Sequence, residues 1–189
     1  MAADAAMRLD GLFQAHERGV LAYAMRRTAS PEDAEDAAAE TFAIAWRKIE
    51  QAPDEALPWL LSIARRVISN QRRGRRRRAW LFLKLSRSMS PEPVIVPGAD
   101  QADQAGGPAL AALARLRAED REILRLVAWE ELDNRGVGLV LGITPNAAAI
   151  RLHRARKRFR DELLKEPGPI RTSTEQKDAI DGALQERVE

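Results

Sequence analysis

The sequence contains no cysteine and only two histidines among its 189 residues. The absence of cysteine excludes a disulfide framework and any zinc site built on thiolates. His16 and His153 fit packing or surface positions better than metal ligation. The chain also has no Ser/His/Asp set and no glycine loop that could cradle a phosphate. We therefore expect no metal, no cofactor and no enzymatic activity.

Long apolar runs are absent as well, and aromatic residues are scarce. No window approaches 18 uninterrupted apolar residues, and the N-terminus lacks the apolar run of a secretion signal. Hydrophobic residues make up 45% of the chain but aromatic residues only 5%, which favours a core of aliphatic side chains on helices. We expect a cytoplasmic protein without a membrane span.

Acidic residues are missing from residues 56–91, although the net charge of the whole chain is only +3. That span carries ten arginines and lysines between Arg65 and Arg87, and residues 151–160 hold a second basic cluster. Acids are instead concentrated in residues 32–40. Basic patches attract phosphates through Coulomb attraction and counterion release. Solvated helix faces are the alternative interpretation, which ten cations without an acid disfavour.

Helix formers dominate the whole sequence, and no run alternates in the manner of a β-strand. We predict an all-α fold of two small helical domains joined by a flexible linker, the second domain containing a helix-turn-helix. The linker is predicted from a cluster of prolines and glycines. The predicted boundaries are 1–85 for the first domain, 86–108 for the linker, 109–166 for the second domain and 167–189 for a polar C-terminal tail.

Three helices are predicted in the first domain, over about residues 10–27, from Pro31 to about Ile49, and from Pro58 onward. The third has an apolar stripe from Trp59 to Ile68, and most of its arginines lie off that stripe. Gly74 is expected to end or loosen this helix. The following segment, "AWLFLKLSRS", is expected to pack on the first domain, with association to a membrane surface as the alternative.

The clearest motif is "VGLVLGITPNAAAIRLHRARKRF", which predicts a helix, a tight turn and a second helix. Gly142 permits the turn, Thr144 caps the second helix and Pro145 takes its first position. A helix-turn-helix places its second helix in the major groove of DNA. An ordinary helical hairpin is the alternative, but the many cations that follow favour DNA. The residues expected to face base edges are Asn146, Ala147, Ile150, Arg151 and Arg154.

Four segments together closely resemble bacterial sigma factors of the extracytoplasmic-function group. They are "SPEDAEDAAAETFAIAWRKI", "PWLLSIARRVISNQRRGRRRR", "LRAEDREILRLVAWEEL" and "VLGITPNAAAIRLHRARKRF", in the order of the family and over about residues 9–166. The resemblance implies a subunit that binds core RNA polymerase and promoter DNA, and that an anti-sigma factor controls. A helix-turn-helix regulator that acts without polymerase is the alternative.

The resemblance also implies which residues meet each partner. The segment around residues 36–47 would dock on core polymerase, the third helix with the loop of residues 51–57 would hold the minus-ten element, and the helix-turn-helix would bind the minus-thirty-five element. The residues assigned by it are Asp36, Glu40, Phe42, Trp46 and Arg47 for the polymerase; Arg65, Arg66, Ser69, Asn70, Arg72 and Arg73 for the minus-ten element; and Thr144, Asn146, Ala147, Ile150, Arg151, Arg154 and Arg158 for the minus-thirty-five element.

Three glycine and alanine positions depart from the family pattern. Gly136 and Gly138 lie inside the first helix of the motif, where each costs roughly 1 kcal/mol relative to alanine. Ala149 stands where a polar or basic residue is common. Direct base contacts from this helix are therefore expected to be few, with shape readout or contact to thymine methyl groups instead.

Overall fold

The computed structural model describes residues 2–86 and 107–165, and within those ranges every regular element is helical. The all-α prediction is confirmed. The predicted linker and C-terminal tail lie almost wholly outside the described residues. The elements are α1 (Ala2–Met25), α2 (Pro31–Arg47), a 3-10 turn (Ile49–Gln51), α3 (Ala56–Ser86), α4 (Pro108–Arg115), α5 (Ala118–Ala128), α6 (Asn134–Leu141) and α7 (Pro145–Lys165).

Helices α1, α2 and α3 pack together as an N-terminal unit. The start of α2 follows the local signals, since the Ser30 hydroxyl accepts from the Asp33 amide at 3.2 Å and Pro31 takes the first position. Helix α1 begins earlier than predicted, because its alanine-rich start has helix propensity without apolar periodicity. Its buried face includes Tyr23, the only tyrosine in the chain.

Helix α3 differs from its prediction at its C-terminal end. Gly74 does not end it, and the helix continues to Ser86. A single glycine costs only about 1 kcal/mol in a helix, which the good helix formers on both sides of it can offset. The expectation that the following segment packs on the first domain is wrong, because Trp80 is 58% exposed and Phe82 is 63% exposed.

The predicted helix-turn-helix is present as α6, a tight turn and α7, within a C-terminal unit that also contains α4 and α5. Gly142 has φ of +69°, the left-handed conformation that favours glycine after a helix. The Thr144 hydroxyl accepts from the Ala147 amide at 3.2 Å, and Pro145 is the first residue of α7. Val137 and Val140 are buried and anchor α6 to the core.

The two glycines inside α6 are explained by close neighbours. A Cβ at Gly138 would lie 2.8 Å from the carbonyl oxygen of Ile143, in the turn of the motif. A Cβ at Gly136 would lie 3.2 Å from Cγ of Pro58, which belongs to α3 of the other unit. The departures from the family pattern thus permit one tight turn and one close contact between the units.

The N-terminal and C-terminal units are packed against each other. Helix α6 contacts α3, and buried residues of both units form one contiguous apolar cluster. That cluster extends from Val20 and Leu60 to Ile123, Leu126 and Val137. None of the described helices is long and apolar enough to cross a membrane.

Candidate nucleic-acid and polymerase interface

Helix α2 presents an acidic edge beside an apolar groove. Asp36, Glu40 and Arg47 are exposed, and Trp46 is 43% exposed. Phe42 is buried in the core, yet its ring also forms one wall of the groove. The groove has a volume of about 510 Å³ and is lined by Ala6, Leu9, Asp10, Phe13, Phe42, Ala43 and Trp46.

Helix α1 supplies the other wall of that groove. The Phe13 and Phe42 rings meet edge to face, with centroids 4.9 Å apart. No local sequence pattern connects Phe13 with Trp46, which lies 33 residues later in the chain. The Phe13 side chain is 40% exposed, so one part of its ring packs on Phe42 and another part lines the groove. An exposed apolar groove with aromatic walls and an acidic edge suits a helical partner with basic residues.

The basic face of α3 holds the residues assigned to the minus-ten element. Arg65, Arg66, Asn70, Arg72 and Arg73 are exposed and Ser69 is half-buried, whereas Trp59 packs against the core, as its position on the apolar stripe predicts. Two of these side chains are oriented by nearby oxygens. The Arg72 guanidinium donates to the carbonyl oxygen of Arg27 at 2.7 Å, and Arg73 donates to Oδ1 of Asn70 at 2.5 Å.

Further along α3, the same face carries additional cations. Arg66, Arg73, Arg77 and Trp80 recur at three-, four- and seven-residue steps, so they lie along one side of the helix. The Nζ of Lys84 lies 5.1 Å from the centroid of the Trp80 ring. Arg75 points elsewhere and pairs with Asp33 of α2. The basic surface is therefore a continuous stripe, and Arg75 contributes to packing of the unit.

Helix α7 presents most of the residues assigned to the minus-thirty-five element. Asn146, Arg151 and Arg154 are exposed, Ile150 is 46% exposed, and Ala147 is half-buried. The exposed Ile150 provides an apolar surface of the kind that contacts thymine methyl groups.

Arg158 has a different environment from the other α7 arginines. Its Nη1 donates to both carboxylate oxygens of Asp120 on α5, at 2.7 and 2.8 Å. Asp120 is buried, so this ion pair satisfies a charge inside the C-terminal unit. No local sequence pattern indicates this contact, because Asp120 lies 38 residues away in the chain.

A cleft of about 330 Å³ lies between the N-terminal and C-terminal units. Its walls include Arg65, Ser69 and Arg72 of α3, as well as Arg151 of α7. Residues assigned to the two promoter elements therefore line one narrow cavity. Helix α5 contributes a further wall, which contains Glu119 and Glu122.

Buried charges connect the units beside this cleft. Nε of Arg27 donates to Glu122 at 3.0 Å, and Nη1 of Arg27 donates to Glu130 at 3.0 Å. Arg26 also pairs with Glu130, at 2.9 Å, and its guanidinium carbon lies 5.4 Å from the centroid of the Trp129 ring.

The surroundings keep Arg27 charged and Tyr23 neutral. Burial opposes the charge on Arg27, but the carboxylates of Glu122 and Glu130 outweigh that effect and hold the pKa of its guanidinium above the ordinary value. Burial, together with the adjacent Glu122, raises the pKa of the Tyr23 phenol well above its usual range. Tyr23 therefore stays protonated and donates to Glu122 at 3.2 Å.

Residues 2–86 and 107–165 contain no cluster of three or more His, Asp or Glu side chains that could hold a metal ion. What they do present is one acidic and aromatic surface, two basic helix faces and a charged contact between the units.

Comparison with known proteins gives two family matches in order along the chain. The Sigma-70 region 2 model matches residues 12–78, and the Sigma-70 region 4 model matches residues 107–159. The ECF RNA polymerase sigma factor SigL of Mycobacterium tuberculosis is 31% identical over 164 residues, which cover 84% of this chain and 90% of SigL. The probable RNA polymerase sigma factor RfaY of Xanthomonas campestris pv. campestris is 34% identical over 155 residues, but the match spans only 38% of its length.

Two solved structures have a similar fold. One is the sigma factor RpoE in complex with the anti-sigma factor NepR from Bartonella quintana, with a TM-score of 0.57, 24% identity and coverage of 84% of this chain and 98% of that one. The other is CnrH in complex with the cytosolic domain of CnrY, with a TM-score of 0.55, 21% identity and coverage of 86% and 96%.

Proposed function

Because the chain belongs to the extracytoplasmic-function group of RNA polymerase sigma factors, we propose that it binds core RNA polymerase and directs it to promoters through α3 and the α6–α7 motif. The observation that carries this proposal is the occurrence of the two sigma regions in family order on one chain. Members of this family initiate transcription without catalysing a reaction, and we propose the same for this chain. Its place of action is the cytoplasm, where polymerase and promoters are found.

Core polymerase docks, in this proposal, on α2 and the groove beside it. Trp46 and the edge of Phe42 provide an apolar anchor, and the carboxylates of Asp36 and Glu40 flank it. Aromatic anchors in a pocket commonly dominate binding energy, whereas charges at a rim chiefly guide association and orientation. Trp46 should therefore contribute more to the affinity, and Asp36 and Glu40 more to the rate of association.

The minus-ten element binds along α3 and the minus-thirty-five element along α7. Opening of the promoter requires a base to leave the stack, and we expect residues 51–57, which lead into the first turn of α3 at Ala56, to receive that base. The arginines of α3 hold the backbone of the exposed strand. In α7 the contacts to the minus-thirty-five element come from Asn146, Ile150, Arg151 and Arg154. Arg158 instead forms an ion pair with Asp120.

An anti-sigma factor is the third partner that we propose. One solved structure of similar fold is a sigma factor in complex with the anti-sigma factor NepR, and the other is CnrH in complex with the cytosolic domain of CnrY. Such a partner would need to cover the polymerase groove of α2 or the basic faces, because those are the surfaces on which function depends.

Run-off transcription with purified core polymerase tests the proposal. Core polymerase supplemented with the chain should produce discrete transcripts from genomic templates, and core polymerase alone should not. Absence of promoter-dependent transcripts would contradict the assignment. Binding to duplex DNA without polymerase would then favour an ordinary helix-turn-helix regulator.

A second measurement tests the docking surface. Asp36→Lys and Glu40→Lys should each slow association with core polymerase in surface plasmon resonance, and Trp46→Ala should speed dissociation. Asp161→Lys makes the same charge change on an exposed position of α7 and provides the matched control. Equal behaviour of all four variants would place the docking surface elsewhere.

A further inference from the structure

The C-terminal end of α3 exposes three consecutive large apolar side chains. Trp80 is 58% exposed, Leu81 44% and Phe82 63%. Elsewhere in residues 2–86 and 107–165, the exposed large apolar side chains are not adjacent in sequence. A contiguous apolar patch on a surface marks an interaction site far more often than scattered apolar side chains do. This end of α3 therefore needs a partner that the rest of the described chain does not supply.

Only one of the three side chains lies on the face that is proposed to bind the minus-ten element. Trp80 continues the basic stripe of α3, whereas Leu81 lies about 100° and Phe82 about 200° around the helix axis from it. A DNA strand along the stripe would leave Phe82 in water. Nζ of Lys84 also lies over the Trp80 ring, 5.1 Å from its centroid, and occupies one of the two ring faces on which a base would stack.

An arginine precedes each of these apolar side chains by one helical turn. The pairs are Arg76 with Trp80, Arg77 with Leu81 and Arg78 with Phe82. A spacing of four residues places both members of a pair on the same side of a helix. The three arginines are exposed, and none forms an ion pair within the part of the chain that the structure describes. The end of α3 therefore combines apolar side chains with positive charge on the same sides of the helix.

We propose that residues 76–84, the aromatic end of α3, bind the surface of a lipid bilayer that contains anionic lipids. In this arrangement the arginines pair with lipid phosphates, and Trp80, Leu81 and Phe82 enter the boundary between headgroups and acyl chains. Trp is enriched at that boundary, and long Lys and Arg side chains extend from it toward the headgroups. The bilayer is a partner in addition to polymerase and promoter DNA, and its binding does not depend on either of them.

A bilayer explains the distribution of these side chains better than a nucleic acid does. Single-stranded bases stack on aromatic rings and offer no comparable partner to the aliphatic Leu81. A strand also contacts one side of a helix, whereas headgroups and acyl chains surround whatever enters them, so Trp80, Leu81 and Phe82 can all leave water together. Negative headgroups complement the charge of residues 56–91, which contain no acid.

The attachment is expected to be reversible. Each cation near an anionic surface strengthens binding by about fivefold, and this attraction falls off within a Debye length, about 10 Å at roughly 0.1 M salt. Three partly inserted side chains add to the attraction, but they do not approach the apolar area of a membrane-spanning helix. Binding should therefore require anionic lipid and weaken as the salt concentration rises.

Sedimentation with lipid vesicles tests the proposal on the full-length chain. Vesicles of phosphatidylglycerol and phosphatidylcholine in equal parts should carry the chain to the pellet, and vesicles of phosphatidylcholine alone should not. Leu81→Ala combined with Phe82→Ala should weaken binding to the anionic vesicles about tenfold, because two inserted side chains are lost. Met25→Ala combined with Leu164→Ala removes two exposed apolar side chains outside α3 and should leave binding unchanged.

A second pair of variants tests the positive charges. Arg76→Gln combined with Arg78→Gln should weaken vesicle binding by about fivefold for each cation removed. Arg156→Gln combined with Arg160→Gln removes the same charge from exposed positions of α7 and should have a much smaller effect. All four side chains are exposed, and circular dichroism checks that the variants remain folded.

A dye at position 81 measures insertion directly. The chain has no native cysteine, so Leu81→Cys and Ala15→Cys each provide one attachment site for an environment-sensitive dye. With anionic vesicles, the emission of the dye at position 81 should shift to shorter wavelength, as expected for transfer out of water. The dye at position 15, an exposed position of α1, should keep its emission.

Three outcomes would overturn the proposal: no binding to anionic vesicles, equal binding by the apolar variant and its control, or a dye at position 81 that stays in water. If the wild type does not bind vesicles and Leu81→Ala with Phe82→Ala weakens binding to core polymerase or to a promoter fork, the aromatic end belongs to one of those partners instead. Failure of the proposed function has a different signature, because run-off transcription would then be absent while vesicle binding is retained.

Discussion

Helices α3 and α7 both have exposed arginines, but the ion pairs that these helices form within the fold lie differently relative to their basic faces. In α3 the exposed cations recur along one face, and Arg75, on another side of the helix, pairs with Asp33 of α2. In α7 the basic face is interrupted by Arg158, which neutralises the buried Asp120, and by Glu162, which pairs with Lys165 and Arg115. A run of arginines is therefore not a uniform DNA-binding surface. Some of its side chains form ion pairs within the fold, and only the others are free to bind DNA.

Two glycines, Gly138 in the helix-turn-helix and Gly74 in α3, also differ in what surrounds them. Gly138 of α6 is required by its neighbours, because the carbonyl oxygen of Ile143 occupies the space of a side chain. Gly74 of α3 has no such neighbour, as the nearest atom to its Cβ position is Nη2 of Arg78, at 3.8 Å. Substitution of alanine should therefore have opposite effects at the two positions.

The largest expected effect is that of Gly138→Ala. The new methyl group would lie 2.8 Å from a backbone oxygen in the turn, so the motif has to shift. We expect the C-terminal unit to lose about 2–3 kcal/mol of unfolding free energy, more than the helix propensity of alanine can restore. Urea unfolding followed by circular dichroism measures this loss, and a variant as stable as the wild type would contradict the tight turn.

The second largest effect is expected for Arg158→Ala, compared with the same substitution at its neighbour Arg154. Arg158→Ala leaves the buried carboxylate of Asp120 without its partner and should cost about 1–2 kcal/mol of unfolding free energy. Arg154→Ala removes an exposed cation and should change that free energy by less than about 0.5 kcal/mol. Conversely, Arg154→Ala should weaken binding to a minus-thirty-five fragment more than its effect on stability explains. Equal stability of the two variants would show that the Arg158–Asp120 pair contributes nothing.

These contrasts show what could be predicted from sequence. The start of α2 and the turn before α7 were predicted correctly because their signals are local, with Ser30 and Thr144 as caps and Gly142 at the left-handed position. The end of α3 was not predicted correctly, since the effect of one glycine depends on the helix propensity of its neighbours.

The contact between the units could not be predicted for a different reason. Its partners are about 100 residues apart in the chain, and neither the burial of Arg27 nor the role of Glu130 leaves a local pattern. Similarly, the groove beside Trp46 depends on the unpredicted first turns of α1, which carry Ala6 and Leu9. The residue types of α2, α3 and α7 thus predict which surfaces are acidic or basic. How these surfaces are placed relative to each other depends on tertiary packing, which the local sequence does not show.

A smaller effect concerns the salt dependence of α3. Neutralising Arg66 or Arg73 should reduce the slope of log binding constant against log salt by about one unit for each phosphate that is no longer neutralised. Arg75→Ala is the matched variant on the opposite side of the helix, and it should leave the slope unchanged because that side chain meets Asp33. Titrations of a promoter fork at several salt concentrations measure these slopes. A reduced slope for Arg75→Ala alone would reverse the assignment of the two faces.

The smallest effect is expected for Gly74→Ala, and its sign is opposite to that of Gly138→Ala. Space is available at this position, so alanine should stabilise the N-terminal unit by about 0.5–1 kcal/mol through its helix propensity. The arginines on both sides of Gly74 already lie on one continuous helix, and a stiffer helix should therefore keep both the promoter affinity and its salt slope. If affinity falls while stability rises, bending at Gly74 is needed to bring Arg76, Arg77 and Arg78 to the DNA. Thermal unfolding and fork titrations on the same variant distinguish these two roles of the glycine.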